Sequence, residues 1–188
     1  MNKRYLLILN EGNFDRNTLN EFIQELLGVG ITIENGDAYT LYIFNDQPDL
    51  LLEDSLKALV YDMSYDLKAY VSNCISLDDI KANIKLVLSL FPKALKASVY
   101  NEKMLVEELL NSNAASLKVL ALKDYLYDNE MQNILLVFMK NNLNTLQTAK
   151  SLYMHRNTLI NKLDRFYNVT GYDVRNFLDA YIIYSLIK

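Results

Sequence analysis

The sequence of 188 residues contains no tryptophan, one cysteine, one histidine, two prolines and five glycines. A single cysteine, Cys74, excludes an intrachain disulfide and fits a reducing compartment. It reads as a small buried hydrophobe, because a thiol nucleophile needs a base and the only histidine, His155, stands in a distant segment. So few glycines and prolines favour regular structure over long loops. The longest unbroken apolar run, Ile134 to Met139, is far below the roughly 18 residues a membrane span needs. Tyr5 to Leu9 is too short for a signal-peptide core and runs straight into Asn10 and Glu11. The chain therefore reads as soluble and cytoplasmic, with no membrane among its partners.

Hydrophobic residues make up 51% and charged residues 22%, enough apolar surface for a true core. The net charge of −4 argues against a nucleic-acid binder only until it is divided along the chain. Met131 to Lys188 holds seven Lys+Arg against three Asp+Glu, while the preceding 130 residues hold 12 against 20. With a screening length of about 8 Å at physiological salt, a polyanion touching the C-terminal segment would feel mainly the local positive charge.

Arg4 to Leu9 reads as a buried strand. Thr18, with Glu21 three residues later, suits a helix cap ahead of the helically spaced Leu19, Phe22, Ile23, Leu26 and Leu27. Ile31–Glu34 and Ala38–Phe44 flank Asn35-Gly36, which predicts a tight hairpin turn with positive φ angles. Pro48 and Asp49 open a second helix, whose apolar face runs from Leu52 to Met63, and Leu67 to Ile75 reads as one more strand. The resulting β-α-β-β-α-β order is ferredoxin-like, a four-stranded antiparallel sheet with two helices on one face. A third helix starts at Ser76, capped with Asp79, and ends at Pro92. From Glu102 onward only helices are predicted, the last six covering 102–111, 114–127, 130–140, 146–152, 156–167 and 176–187. Strands first and helices after suggest two domains.

Thr145 to Tyr167 carries the functional signal. Thr145 caps a short helix, small Ala149 allows a second helix to cross closely, Tyr153-Met154-His155 turns the chain, and a longer helix follows from Arg156. That is the helix-turn-helix pattern. At 100° per residue, Leu159, Leu163 and Phe166 form a narrow inward stripe, while Asn157, Thr158, Asn161 and Arg165 face the other way and Arg156 and Lys162 flank the stripe. Arginine forks onto guanine, asparagine bridges adenine, and threonine and lysine suit phosphates. Residues nearest the N-terminus of such a helix reach deepest into a major groove. Met154 is expected to plug the corner between the helices. Asp164 is out of place on an outer face meant for phosphate, unless it pairs with Lys150 or orients a neighbouring base. An amphipathic helix pair in an ordinary bundle would show the same polar outside.

The run His155-Arg156-Asn157-Thr158-Leu159, with Asn144 and Thr148-Ala149 before it and Val169-Thr170-Gly171-Tyr172-Asp173 after it, closely resembles the C-terminal domain of the PucR/CdaR family of bacterial transcription regulators. Arg156-x-Thr158-Leu159 also resembles the core of the Fis-type helix-turn-helix, which usually has glycine in the turn where Tyr153-Met154 stands here. The resemblance implies that His155, Arg156, Asn157 and Thr158 contact DNA, with Asn161 and Lys162 next; Arg165 and Thr145 complete the candidate set. The preceding part resembles, in order of elements only, the family's degenerate GGDEF-like domain. It has no Gly-Gly-Asp-Glu-Phe run, so cyclase chemistry, metal and cofactor are not expected.

The expectation is a two-domain α+β chain: a GGDEF-like domain over 1–112, a connecting helix over 113–129, and a helix-turn-helix domain over 130–188. It would bind double-stranded DNA as a homodimer, without catalysis, under the control of a small-molecule or protein effector. One rival is a protein-interaction module that kept the fold and lost DNA binding. The other, an enzyme, would need an acidic cluster at a strand turn, and Asp78-Asp79 is better explained as helix-start acids.

Overall fold

A computed structural model describes residues 2–28, 30–45, 47, 51–112 and 115–188. The chain divides into two compact units, 1–108 and 109–188.

The first unit is built on β1 (Asn2–Leu9), β2 (Thr32–Asn35), β3 (Tyr39–Asn45), β4 (Ala69–Val71), β5 (Ile75–Ser76) and β6 (Val99–Tyr100). The main order is β2-β3-β1-β4-β6, with β5 on the start of β1. β1 is antiparallel to both β3 and β4, so the first four strands have the split β-α-β arrangement read from the sequence. β6 pairs with β4 in parallel and makes the sheet larger than the expected four strands; two residues are too short a run to register as a strand by pattern.

Residues of β1 alternate between two buried faces. Leu6 and Ile8, with Tyr42, Phe44, Ala69 and Val71, meet α1 (Arg16–Leu27) and α2 (Leu52–Met63). Tyr5 and Tyr70 face the other way, in a row of rings continued by Phe91 and Tyr100 at centroid spacings of 5.7–5.9 Å. On that side the Tyr5 hydroxyl donates to Asn83 of α3 (Ile80–Leu90), at 2.7 Å. With both faces covered, Tyr5 to Leu9 carries no polar residue, which is why it read as a continuous run.

Several local expectations are corrected. Asp15, not Thr18, caps α1: its carboxylate accepts from the Asn17 N–H at 3.0 Å and the Thr18 hydroxyl at 2.8 Å. Those bonds, Thr18's first, hold the Asp15 carboxyl below its ordinary range. The hairpin forms, but neither Asn35 nor Gly36 has positive φ. Asn35 pairs with Thr40, the Gly36 N–H donates to the Tyr39 carbonyl at 2.9 Å, and Asn10 holds the loop from outside through the Gly36 and Asp37 carbonyls, so the turn is wider than two residues. The strand expected from Leu67 to Ile75 is broken at Ser72–Cys74. There the Tyr5 N–H donates to the Ser72 hydroxyl at 2.7 Å instead of to a strand carbonyl. Cys74 is consequently exposed, not buried. Ser76 and Asp79 do hydrogen-bond reciprocally, yet regular helix begins only at Ile80. Pro48 and Asp49 lie outside the described residues, as does the expected helix start at Ala114.

Unit 2 is helical: α5 (Ala115–Leu122), α6 (Asn129–Lys140), α7 (Thr145–Ser151), α8 (Arg156–Thr170) and α9 (Phe177–Ile187), preceded by α4 (Glu102–Leu109), almost all of which lies in unit 1. Asp128 caps α6, accepting from the Met131 N–H at 2.9 Å. Phe138, Leu159, Phe166 and Ile183 are fully buried at the centre of unit 2. No described helix is long and apolar enough to cross a membrane.

Candidate nucleic-acid interface

The chain reverses between α6 and α7 through two successive left-handed residues, Asn142 and Leu143, at φ 53° and 58°. Asn141 reaches across from the end of α6 to the Thr148 and Ser151 hydroxyls of α7, at 3.4 and 3.3 Å. Asn144 is the cap of α7, accepting from the Gln147 N–H at 3.0 Å, so Thr145 is the first helical residue and not the cap. Thr148 and Ala149 are buried, which lets α7 pack closely on α8 as the small residue suggested.

The corner runs from Leu152 to His155. Tyr153 takes the left-handed conformation, φ 51°, and its side chain is 98% exposed. The Met154 N–H closes the turn onto the Ala149 carbonyl at 3.0 Å, and the Met154 side chain is half-buried. His155 then caps α8. Its Nδ1 accepts from the Asn157 N–H at 3.2 Å, which places the ring proton on Nε2 and leaves that atom as an exposed donor.

α8 is three residues longer than the sequence pattern suggested. Thr170 turns its hydroxyl back to the Phe166 carbonyl, and Gly171, at φ 80°, ends the helix with its N–H on the Tyr167 carbonyl at 2.7 Å. Leu159, Leu163 and Phe166 are buried as expected, Phe166 against the Tyr125 ring at 5.1 Å. His155, Arg156, Asn157, Thr158, Asn161 and Arg165 are all exposed, while Lys162 and Thr145 are half-buried. At 100° per residue Asn157, Thr158, Asn161 and Arg165 share one side of the helix, with Arg156 at its first turn.

Ion pairing sorts the charges. Asp164 pairs with Arg175 at 2.7 Å, and Arg175 also holds Asp173 at 2.6 Å; Lys150 is not its partner. Its negative charge is thereby offset at the edge of the face. Lys162 pairs with Glu130 at the start of α6, at 3.1 Å, which places an opposite charge beside it. Lys150, Arg156 and Arg165 form no ion pair among the described residues.

Two exposed side chains escaped the sequence reading. Asn168 joins the outward side of α8 because the helix continues past Tyr167. Tyr153 sits beside His155, in the turn where related motifs carry glycine. Its departure from that pattern was visible in the sequence, but its exposure was not.

The site is thus a short helix, a four-residue corner and a longer helix with a polar outer side. Residues 132–187 match the PucR C-terminal helix-turn-helix domain. The resemblance read at His155–Leu159 and at Val169–Asp173 lies inside that match. The chain is also similar to YxkF of Bacillus subtilis (strain 168), 31% identical over 85 residues, which are 45% of this chain and 26% of YxkF. It is 34% identical over 58 residues to the Carbohydrate diacid regulator of Escherichia coli (strain K12), covering 31% of this chain and 15% of that protein. The chain thus spans about a quarter or less of these curated relatives. Among solved structures, the Regulator of Polyketide Synthase Expression from Bifidobacterium adolescentis aligns over 99% of this chain and 78% of its own, at 19% identity and a TM-score of 0.48.

Proposed function

We propose that the protein binds double-stranded DNA sequence-specifically through α7 and α8, as a dimer, without catalysis. The observation that carries this reading is the exposed run His155-Arg156-Asn157-Thr158 at the N-terminal end of α8, backed by fully buried Leu159, Leu163 and Phe166. Free N–H groups and the positive end of the helix dipole lie at that end and favour phosphate. The His155 Nε2–H, the Arg156 fork and the Asn157 amide are donors suited to base edges. Asn161 and Arg165 extend the row along the groove, Asn168 continues it, and Lys150 adds a cation from α7; Thr145 and Lys162 stand at its margin. A dimer would set two such helices about 34 Å apart on a near-palindromic site. The first unit would dimerise or receive a signal from a small-molecule or protein effector, in a cytoplasmic setting.

One observation favours the rival protein-interaction module: Lys150, Arg156 and Arg165, the helix-turn-helix cations without an ionic partner among the described residues, make a thin basic surface for a chain of net charge −4. Selection of bound sites from random duplexes, at low salt, separates the two. Recovery of a shared motif supports the regulator. Absence of any enrichment down to about 20 mM salt, where counterion release favours binding most, would sink it.

A further inference from the structure

We propose that the outer side of α9 is a self-complementary interface for a second copy of this chain. The inference rests on the dimeric DNA-binding reading above and names the surface that makes the dimer. In α9 only Asp179 and Ser185 are polar, and Asp179 is turned inward, where its carboxylate accepts the Asp173 N–H at 2.7 Å. A helix apolar on every side is normally covered on every side. Here one side packs within the unit through Ala180, Ile182, Ile183 and Leu186, yet Phe177 is 74% and Tyr181 54% exposed on the other.

Phe177, Tyr181 and Tyr184 follow one another at intervals of four and three residues. This is the spacing of a helix-pairing seam. Beside the seam, Met139 and Leu143 complete a groove of about 440 Å³ with Phe177, Tyr181 and Tyr184. The face thus offers both a protruding aromatic ring and a hollow able to take one. A two-fold pair uses each twice, since whatever one copy presents the other receives.

The size of the face fits the same occupant. With aromatic side chains at about 150–250 Å² each, the exposed parts of Phe177, Tyr181 and their neighbours amount to roughly 400–500 Å² per copy, so a pair buries about 800–1,000 Å². That is the range of weak, reversible association. Lys140 and Lys188 at its edge, with no exposed acid on the face, keep the pairing weak. Within its unit α9 packs mainly on α6, α5 and the turn 110–112, so pairing through its outer side leaves the exposed side of α8 free.

The test is sedimentation equilibrium of the whole chain from about 1 to 200 µM, with hydrogen exchange of the unmodified protein at both ends of that range. The expected result is a monomer–dimer equilibrium with a dissociation constant on the order of 10 µM. Exchange should slow with concentration in α9 and in 139–143. Phe177→Glu and Tyr181→Glu should each weaken the dimer at least tenfold with an unchanged circular dichroism spectrum, and Tyr61→Ser, an exposed tyrosine of α2, should leave it unchanged. A monomer at 200 µM overturns the proposal. So does a dimer indifferent to both glutamate variants, or protection confined to other segments; a pocket for a small molecule or for a different protein would give the first of these. Should both glutamate variants unfold, the exchange pattern of the unmodified chain decides alone. DNA binding is read separately. A chain that dimerises through α9 but binds no duplex refutes the regulator and keeps the interface, whereas a monomer that binds a selected half-site does the reverse.

Discussion

Replacing Arg156 by alanine probes the charge and the reading function of α8 together. Three cations per copy, Lys150, Arg156 and Arg165, stand in the helix-turn-helix without an ion pair among the described residues; Lys162 is held by Glu130 and Asp164 by Arg175. With Lys150 and Arg165 each neutralising one phosphate and Arg156 on a base edge, the slope of log affinity against log salt is about −1.8 per copy, or about −3.6 for a pair on two half-sites. Between 50 and 200 mM salt the affinity should then fall roughly 12-fold per copy and about 150-fold for the pair. Arg156→Ala has two distinguishable signatures. An arginine that reads a base costs about 1–3 kcal/mol, relaxes preference at one position of each half-site and barely moves the slope. One that only touches phosphate weakens all duplexes equally and makes the slope shallower by about 0.9 per copy. The position of Arg156 at the first turn of α8 favours the base signature. Arg165, which borders a cleft of about 230 Å³ with Asp124 and Asp128, should have the smaller effect of the two arginines. Fluorescence anisotropy titrations at four salt concentrations, on the selected site and a scrambled duplex, read both quantities. Equal affinity and equal slope for the variant and the parent, on both duplexes, would refute the role given to α8.

His155→Asp keeps a side chain able to cap α8 but places a carboxylate where phosphate should lie. The melting temperature should change by no more than about 2 °C while DNA affinity drops more than tenfold, and unchanged affinity would mean that His155 is only a cap. Gly171→Ala meets no atom within 4 Å, so its cost is backbone strain at φ 80° alone. About 1 kcal/mol, or 2–4 °C in melting temperature, is expected, and no change would contradict the left-handed end of α8. Tyr153→Gly relieves roughly 1 kcal/mol of left-handed strain but frees the unfolded chain by a similar amount, so stability should stay within about 2 °C. A several-fold loss of DNA affinity in that variant would assign the exposed ring a contact; unchanged binding would leave it none.

The sequence reading succeeded where one physical rule governed a whole segment. Leu159, Leu163 and Phe166 had to face inward because the 3.6-residue period left no other apolar side, and the ferredoxin-like order followed from the sequence of six elements. It failed where a side chain supplied what backbone would otherwise have supplied. Asp15 displaced Thr18 as a cap because Asp15, three residues earlier, could accept from both Thr18 and the Asn17 N–H. Asn10 opened the Asn35-Gly36 turn from outside, and Ser72 broke a strand by taking the Tyr5 N–H onto its hydroxyl. Asn10 and Tyr5 are far along the chain from the turn and the strand they changed, so no local pattern could have held those contacts, whereas Asp15 stands directly before its helix.

The charged residues of the site show the same limit in a form that bears on function. Four cations and one acid in 145–167 look alike in a sequence, and a count of them gives a mildly basic helix pair. Folding divides them by their neighbours. Glu130 lies 32 positions before Lys162 and Arg175 lies 11 after Asp164, and neither belongs to α8. The acid that appeared to spoil the face is thereby offset, and the lysine that appeared to serve it has an opposite charge beside it. What remains outward is narrower than the sequence suggested but less mixed in sign: Arg156, Arg165 and Lys150, set among asparagines, a threonine and one histidine. A surface of that make-up gains little from bulk charge and must rely on hydrogen bonds to base edges and on pairing two copies. Specific binding should therefore be far stronger than non-specific binding in this protein, and the ratio between selected and scrambled duplexes, measured at one salt concentration, is the quantity that its surface sets.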